Sequence, residues 1–131
     1  MPDVPSATGQ GRILVVDDEP HIRRVLSAIL GAHGYDVRTA SDGMKGLVKL
    51  EREPADLVIL DLMMPGANGL EILSKIRSDP KRSGTPVIIL TAKGQDTDRE
   101  AAMAGGADDF LTKPFSPKKL IARIQEILSG R

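Results

Sequence analysis

Cysteine and tryptophan are absent from this chain of 131 residues, and aromatic side chains make up only 2% of it. Without cysteine there is no disulfide, no thiolate metal site and no thiol nucleophile, and nothing points to an oxidising compartment. So few aromatics disfavour single-stranded nucleic-acid binding by base stacking. A surplus of charge is missing too: 18 basic and 18 acidic side chains cancel, which removes any general attraction to polyanions or membrane surfaces. The two histidines, His21 and His33, have no ligand-like partners, so zinc is not indicated. No apolar run approaches the roughly 20 residues that cross a bilayer. Met1 to Gly11 shows neither the basic start nor the apolar stretch of a secretory signal. These absences lead to the expectation of a cytoplasmic chain with no membrane contact and no direct nucleic-acid binding.

A mass of 14.0 kDa suits one domain that buries about two-thirds of its unfolded surface, enough for a core without staples. Residues 1–11 are small, polar and rich in Pro and Gly, and read as a mobile tail. The domain itself is expected over residues 12–129, with 130–131 as its end. Short apolar runs occur at Arg12–Val16, Tyr35–Ala40, Leu57–Leu60, Val87–Leu90 and Ala107–Leu111. Three of them are continuously apolar, the pattern of strands buried on both faces of a parallel sheet. The run at Tyr35 carries Asp36 and Arg38 and fits an edge strand. Between the runs lie helical patterns. Pro20 opens one that carries Ile22, Val25, Leu26, Ile29 and Leu30; Asn68 and Glu71 resemble a capping box; Ser116-Pro117 opens the last. The helices after Asp42 and Gln95 are weaker, the first because of Gly43 and Gly46 and the second for want of apolar bulk. Five strand–helix units of this size predict an α/β fold, a doubly wound five-stranded parallel sheet with five helices.

The polar residues that terminate the strands carry the chemistry. The first strand ends in Asp17-Asp18-Glu19, the third in Asp61 and the fourth in Thr91, while the fifth leads to Lys113-Pro114. All carboxyl ends of a parallel sheet lie on one edge, where open α/β sheets bind ligands beside the reversal of strand order. Asp17, Asp18 and Asp61 cannot gather there uncompensated; one takes up a proton or a cation is recruited. Carboxylates without clustered His or Cys select a hard divalent ion, with Mg²⁺ the natural candidate. A metal ion, the Lys113 ammonium and the Thr91 hydroxyl around a carboxylate suit a phosphoryl group. Neither Gly-rich nucleotide motif is present. The phosphoryl group is therefore expected from a small donor or another protein, accepted covalently by Asp61.

Four segments, Val15-Val-Asp-Asp-Glu19, Leu60-Asp-Leu-Met-Met-Pro-Gly66, Leu90-Thr-Ala92 and Asp108-Asp-Phe-Leu-Thr-Lys-Pro-Phe115, resemble the receiver domain of bacterial two-component response regulators. The resemblance runs over about residues 12–129 and implies a flavodoxin-like strand order of 2-1-3-4-5. It implies an aspartyl phosphate on Asp61, donated by a sensor histidine kinase or a histidine phosphotransfer protein. Mg²⁺ would be bound by Asp18, Asp61 and the backbone carbonyl of Met63, with Asp17 acting through water. Lys113, Thr91 and the backbone of Ala92 would contact the phosphoryl oxygens, and Phe110 would turn inward as Thr91 moves.

Met63 stands where many relatives carry a polar residue that affects attack by water, so slow self-hydrolysis is expected. Asp108 and Arg123 match an ion pair across the dimer interface of relatives that pair through the fourth helix, fifth strand and fifth helix. Arg99 and Lys119 place like charges where that interface needs opposite ones. A monomer is therefore expected, with a phosphorylation-dependent dimer as the alternative state. Ending just after the last helix, the chain reads as a stand-alone switch that signals to an unknown downstream protein or passes the phosphoryl group on. It is read as a signalling phosphoacceptor that assists its own phosphorylation and dephosphorylation, not as a turnover enzyme. Two other readings fit fewer residues. An aspartate-nucleophile phosphatase would need a second acid where Met63 stands, and a non-phosphorylated binding module would not need Asp, Thr and Lys together.

Overall fold

The computed structural model describes residues 11–64, 67–92 and 96–130. Most of the expected tail, Pro65-Gly66 of the second motif and Arg131 lie outside them. Five strands, β1 (Arg12–Val16), β2 (Asp36–Ala40), β3 (Leu57–Leu60), β4 (Val87–Thr91) and β5 (Asp109–Thr112), form one parallel sheet in the order 2-1-3-4-5. Five helices alternate with them: α1 (Pro20–Ala32), α2 (Gly43–Arg52), α3 (Gly69–Ser78), α4 (Asp96–Ala104) and α5 (Pro117–Ser129).

The continuous apolar runs are explained by a core on each side of the sheet. Leu14, Val16, Val58, Leu60, Val87 and Ile89 pack against Leu50 of α2, Ile72, Leu73 and Ile76 of α3, and Ala102 of α4. Ile13, Val15, Leu57, Ile59, Ile88 and Leu90 pack against Leu26 and Leu30 of α1 and Leu120, Ile121 and Ile124 of α5. Alternate residues of one strand thus feed opposite layers. The mixed strand β2 is an edge, as its Asp36 and Arg38 suggested.

Helix starts follow the side-chain chemistry. Asp42 accepts from the backbone N–H of Lys45, Asn68 from that of Leu70 and Ser116 from that of Lys119. Gly46, an unfavourable residue inside a helix, has a packing reason: a Cβ there would stand 2.8 Å from a Val16 methyl. Two strands begin later than the apolar runs. The N–H groups of Tyr35 and Ala107 close the ends of α1 and α4 on Leu30 and Ala102 carbonyls, at 3.1 and 3.0 Å. Those donors are spent before the strands begin.

Two features were not legible in the pattern. Met63–Met64 pairs antiparallel with Ala67–Asn68 between β3 and α3. Arg77, at the end of α3, donates to the carbonyls of Gly106, Ser83 and Thr85 and to the Asp108 carboxylate. It ties the loops that precede β4 and β5 to each other.

Candidate functional site

The parallel ladder runs one residue past β1 and β3. The N–H of Asp17 donates to the Ala40 carbonyl at 3.1 Å, and that of Asp61 to the Val16 carbonyl at 3.0 Å. The two aspartates therefore project from neighbouring strands, at the carboxyl edge where strand order reverses. On the other side, the N–H of Lys113 donates to the Thr91 carbonyl at 2.8 Å, which seats the lysine backbone beside the end of β4. From below, the N–H of Gly69 donates to the Leu62 carbonyl, and the start of α3 lies directly on the Asp61–Leu62 backbone.

Lys113 brings the acids together. Its Nζ lies 2.8 Å from Asp17 Oδ2, 2.9 Å from Glu19 Oε1 and 3.3 Å from Asp61 Oδ2. Asp17 and Asp61 are buried, at 2% and 3% exposure. Each gives its other oxygen to a backbone donor: Asp17 Oδ1 accepts from Glu19 N–H at 2.9 Å and Asp61 Oδ1 from Met63 N–H at 3.1 Å. Burial pushes the Asp17 carboxyl above its ordinary pKa, although Lys113 and the Glu19 N–H pull it down. Lys113 itself is opposed by burial, yet hydrogen bonds to Asp17 and Glu19 and the charge of Asp61 raise it above the usual lysine range. The hydrogen bond from Lys113 lowers Glu19. The three acids thus surround a firmly protonated amine.

Three carboxylates against one ammonium leave two negative charges in excess. The oxygens of Asp17, Glu19 and Asp61 lie within 4.8 Å of one another. An all-oxygen set with that charge fits a hard divalent ion that keeps some of its waters, as Mg²⁺ does. Glu19 completes the group that Lys113 gathers. The backbone at Glu19 is extended, and in extended chain alternate residues share a side. That periodicity places 17 and 19 together and was the signal available in the sequence. Asp18 is half-buried outside the group.

The Thr91 hydroxyl is fully buried and has no hydrogen-bond partner among the described residues. An unpaired buried hydroxyl is costly, and this one lies at the end of β4 on the same sheet edge as Asp17 and Asp61. Ala92 follows at the surface; residues 93–95 lie outside the described ones. Phe110 on β5 is turned inward and buried, with the Arg99 guanidinium 5.7 Å from its ring centre. Met63, two residues after Asp61, is 64% exposed.

The Asp108–Arg123 pair is expected between two chains, and within one chain each residue has its own partners. Asp108 is drawn the other way, its carboxylate held at 3.1 Å by Arg77 and at 2.8 Å by the Val87 N–H. Arg123 instead reaches Asp109 Oδ2 at 2.8 Å and Glu126 Oε1 at 2.6 Å, touching Asp108 only at its carbonyl.

The sequence pattern described as the response regulator receiver domain matches residues 13–125. The DNA-binding response regulator MtrA of Mycolicibacterium smegmatis is 42% identical over 118 residues, 90% of this chain and 50% of that protein. A transcriptional regulatory protein CpxR homolog of Haemophilus influenzae is 48% identical over 117 residues, 89% of this chain and 50% of its own length. The chain thus spans about half the length of the curated relatives it matches. Among solved structures, the Vibrio cholerae chemotaxis protein CheY4 superposes with a TM-score of 0.84 at 34% identity, covering 88% of this chain and 97% of its own. The BeF3-activated N-terminal receiver domain of Klebsiella pneumoniae RstA gives 0.83 at 31% identity, covering 89% and 97%.

Proposed function

This chain belongs to the response regulator receiver domain family, and from that premise we propose that Asp61 is its phosphoacceptor. The observation that carries this reading is Lys113, whose ammonium joins the buried carboxylates of Asp17 and Asp61 at the reversal of strand order. The donor is a phosphohistidine on a sensor kinase or phosphotransfer protein, or a small acyl phosphate. A carboxylate oxygen of Asp61 attacks phosphorus in line. The new P–O bond forms as the P–N or P–O bond to the donor breaks, and the donor leaves with that electron pair. Lys113 stabilises the oxygens of the transferring group, and the unpaired Thr91 hydroxyl donates to one of them, joined by the backbone of Ala92. Mg²⁺, when bound, neutralises the charge that the carboxylates and the phosphoryl group would otherwise pit against each other. Asp18, Asp61 and the Met63 carbonyl would hold it directly, with Asp17 acting through water. Phe110, expected to turn inward as Thr91 moves towards the phosphoryl group, is already inward here; the movement of Thr91 fixes it there, and the surface of α4, β5 and α5 changes what it binds. The chain is thus a signalling phosphoacceptor in a two-component system, handing its state to a protein partner or its phosphoryl group to a relay.

Intact mass after incubation with acetyl phosphate and Mg²⁺ tests this directly. Wild type is expected to gain one phosphoryl group, and Asp61→Asn or a chelator to prevent the gain. Labelling retained in Asp61→Asn would remove Asp61 from the role. Loss of the phosphoryl group is expected to be slow, because the exposed thioether of Met63 cannot orient a water for attack. Met63→Asn should shorten the lifetime several-fold, by an effect of roughly 1 kcal/mol on the barrier. Equal decay curves for the two proteins would count against that assignment.

A further inference from the structure

Glu19 has no part in that phosphoryl-transfer chemistry, yet its carboxylate is the second-closest partner of Lys113. An ammonium has three N–H donors, and all three here point at carboxylates. Two of those acceptors, on Asp17 and Asp61, are buried and are the ones that the reading above gives to a divalent ion, Asp61 directly and Asp17 through water. An ion on them repels the ammonium and competes for the same lone pairs. Lys113 then needs another anchor, because its side chain is only 9% exposed and water cannot readily replace both lost bonds. Glu19 differs from the other two in being 53% exposed. It therefore keeps its charge at little desolvation cost, and it sits at the start of α1, where the helix N-terminus favours an anion.

We propose that Glu19 is a positioning residue for Lys113: it holds the ammonium at the mouth of the pocket when a divalent ion takes Asp17 and Asp61, leaving the amine within reach of a phosphoryl group on Asp61. The transfer of Lys113 from three carboxylates to one is a property of this chain's own side chains. Its use in phosphoryl transfer rests on the phosphoacceptor reading. The hydrogen bonds of Lys113 go to Asp17, Glu19 and Asp61, not to Asp18.

The test uses protein labelled with ¹⁵N-lysine, in which a pinned ammonium gives a slowly exchanging Nζ resonance and a free one exchanges with water and disappears. Lys113→Arg identifies the signal. Wild type is expected to show it both without and with Mg²⁺. Glu19→Ala should keep it without Mg²⁺, where Asp17 and Asp61 still hold the amine, and lose it when Mg²⁺ is added. Glu19→Gln, which retains an acceptor oxygen but no charge, should fall between. Binding of the phosphoryl mimic beryllofluoride should weaken roughly tenfold in Glu19→Ala, the loss of about one charge-assisted hydrogen bond. A Lys113 signal that survives Mg²⁺ in Glu19→Ala overturns the role of Glu19 alone. Loss of the signal before any Mg²⁺ is added also overturns it, since Asp17 and Asp61 would then not be anchors. In uniformly ¹⁵N-labelled wild type, Mg²⁺ that leaves the backbone resonances of Asp61 and Met63 unmoved overturns the phosphoacceptor reading together with this proposal.

Discussion

Alanine at position 69 is expected to lower the melting temperature by about 10 °C and to disable labelling of Asp61, although glycine-to-alanine changes in helices usually stabilise. A Cβ there would stand 2.5 Å from the Asp61 carbonyl oxygen and 2.6 Å from Leu62 Cα. Both neighbours are backbone, and neither can rotate aside. The start of α3 would have to retreat by about an ångström, taking with it the bond from the Gly69 N–H to the Leu62 carbonyl. Overpacking of this kind costs about 1–3 kcal/mol and sometimes more. The helix preference of alanine offsets at most about 1 kcal/mol, and less here because position 69 is only the first helical residue. A net loss of about 2–3 kcal/mol corresponds to that fall in melting temperature for a chain of this length. Gly31→Ala is the control. Nothing lies within 4 Å of a Cβ at that exposed position of α1, so a small gain of up to about 1 kcal/mol is expected. Thermal melts of the two variants side by side decide the matter: if Gly69→Ala melts with wild type, the close approach of α3 to the phosphoacceptor strand is wrong.

Lys113→Gln is expected to cost about 3 kcal/mol at pH 7 in the absence of Mg²⁺, and Mg²⁺ should recover most of the loss. The substitution leaves Asp17 and Asp61 buried beside Glu19 with their shared counter-charge gone. Removing one member of a buried pair costs about 3–5 kcal/mol, and the exposed side of the pocket at Glu19 keeps this case at the lower end. The directions of the shifts set the pH dependence. Lys113 has a raised pKa in the folded state, so its contribution in wild type is complete below the ordinary lysine value and is lost only as pH rises beyond it. Asp17 is raised by burial, so the folded protein takes up its proton more readily than the unfolded chain. That site gains stability as pH falls towards the ordinary aspartate value. Without the ammonium the shift grows, and the gap between variant and wild type should narrow from pH 7 to pH 5. Denaturation at both pH values, with and without Mg²⁺, checks it. A variant as stable as wild type at pH 7 without Mg²⁺ would show that Lys113 does not balance these charges.

The strand ends were legible from the chain alone, and so was most of the site. Asp17, Asp61, Thr91 and Lys113 each come after an apolar run, and a parallel sheet gives every such residue the same edge. Glu19 is within reach of the same reasoning, because alternation along an extended strand end pairs 17 with 19. Adjacency and resemblance single out Asp18 for the ion, whereas alternation finds the residue that Lys113 bonds. Asp108 shows the opposite case. Its carboxylate is held by Arg77 while Arg123 takes that of Asp109, a division that depends on loops whose course no local pattern records.

Periodicity and composition by themselves determined the layered α/β architecture, the edge strand and the side of the sheet on which chemistry gathers. Burial on one or two faces and helix capping are local constraints, and a single strand or helix carries their record in its residues. Folding in three dimensions alone decided that one ammonium serves three carboxylates, that the Thr91 hydroxyl is unpaired among the described residues, and that α3 rests on the backbone of Asp61 where only glycine fits. Such choices are settled by distances of a few ångströms between residues far apart in the chain, where contact energies fall away too steeply for any sequence interval to encode them.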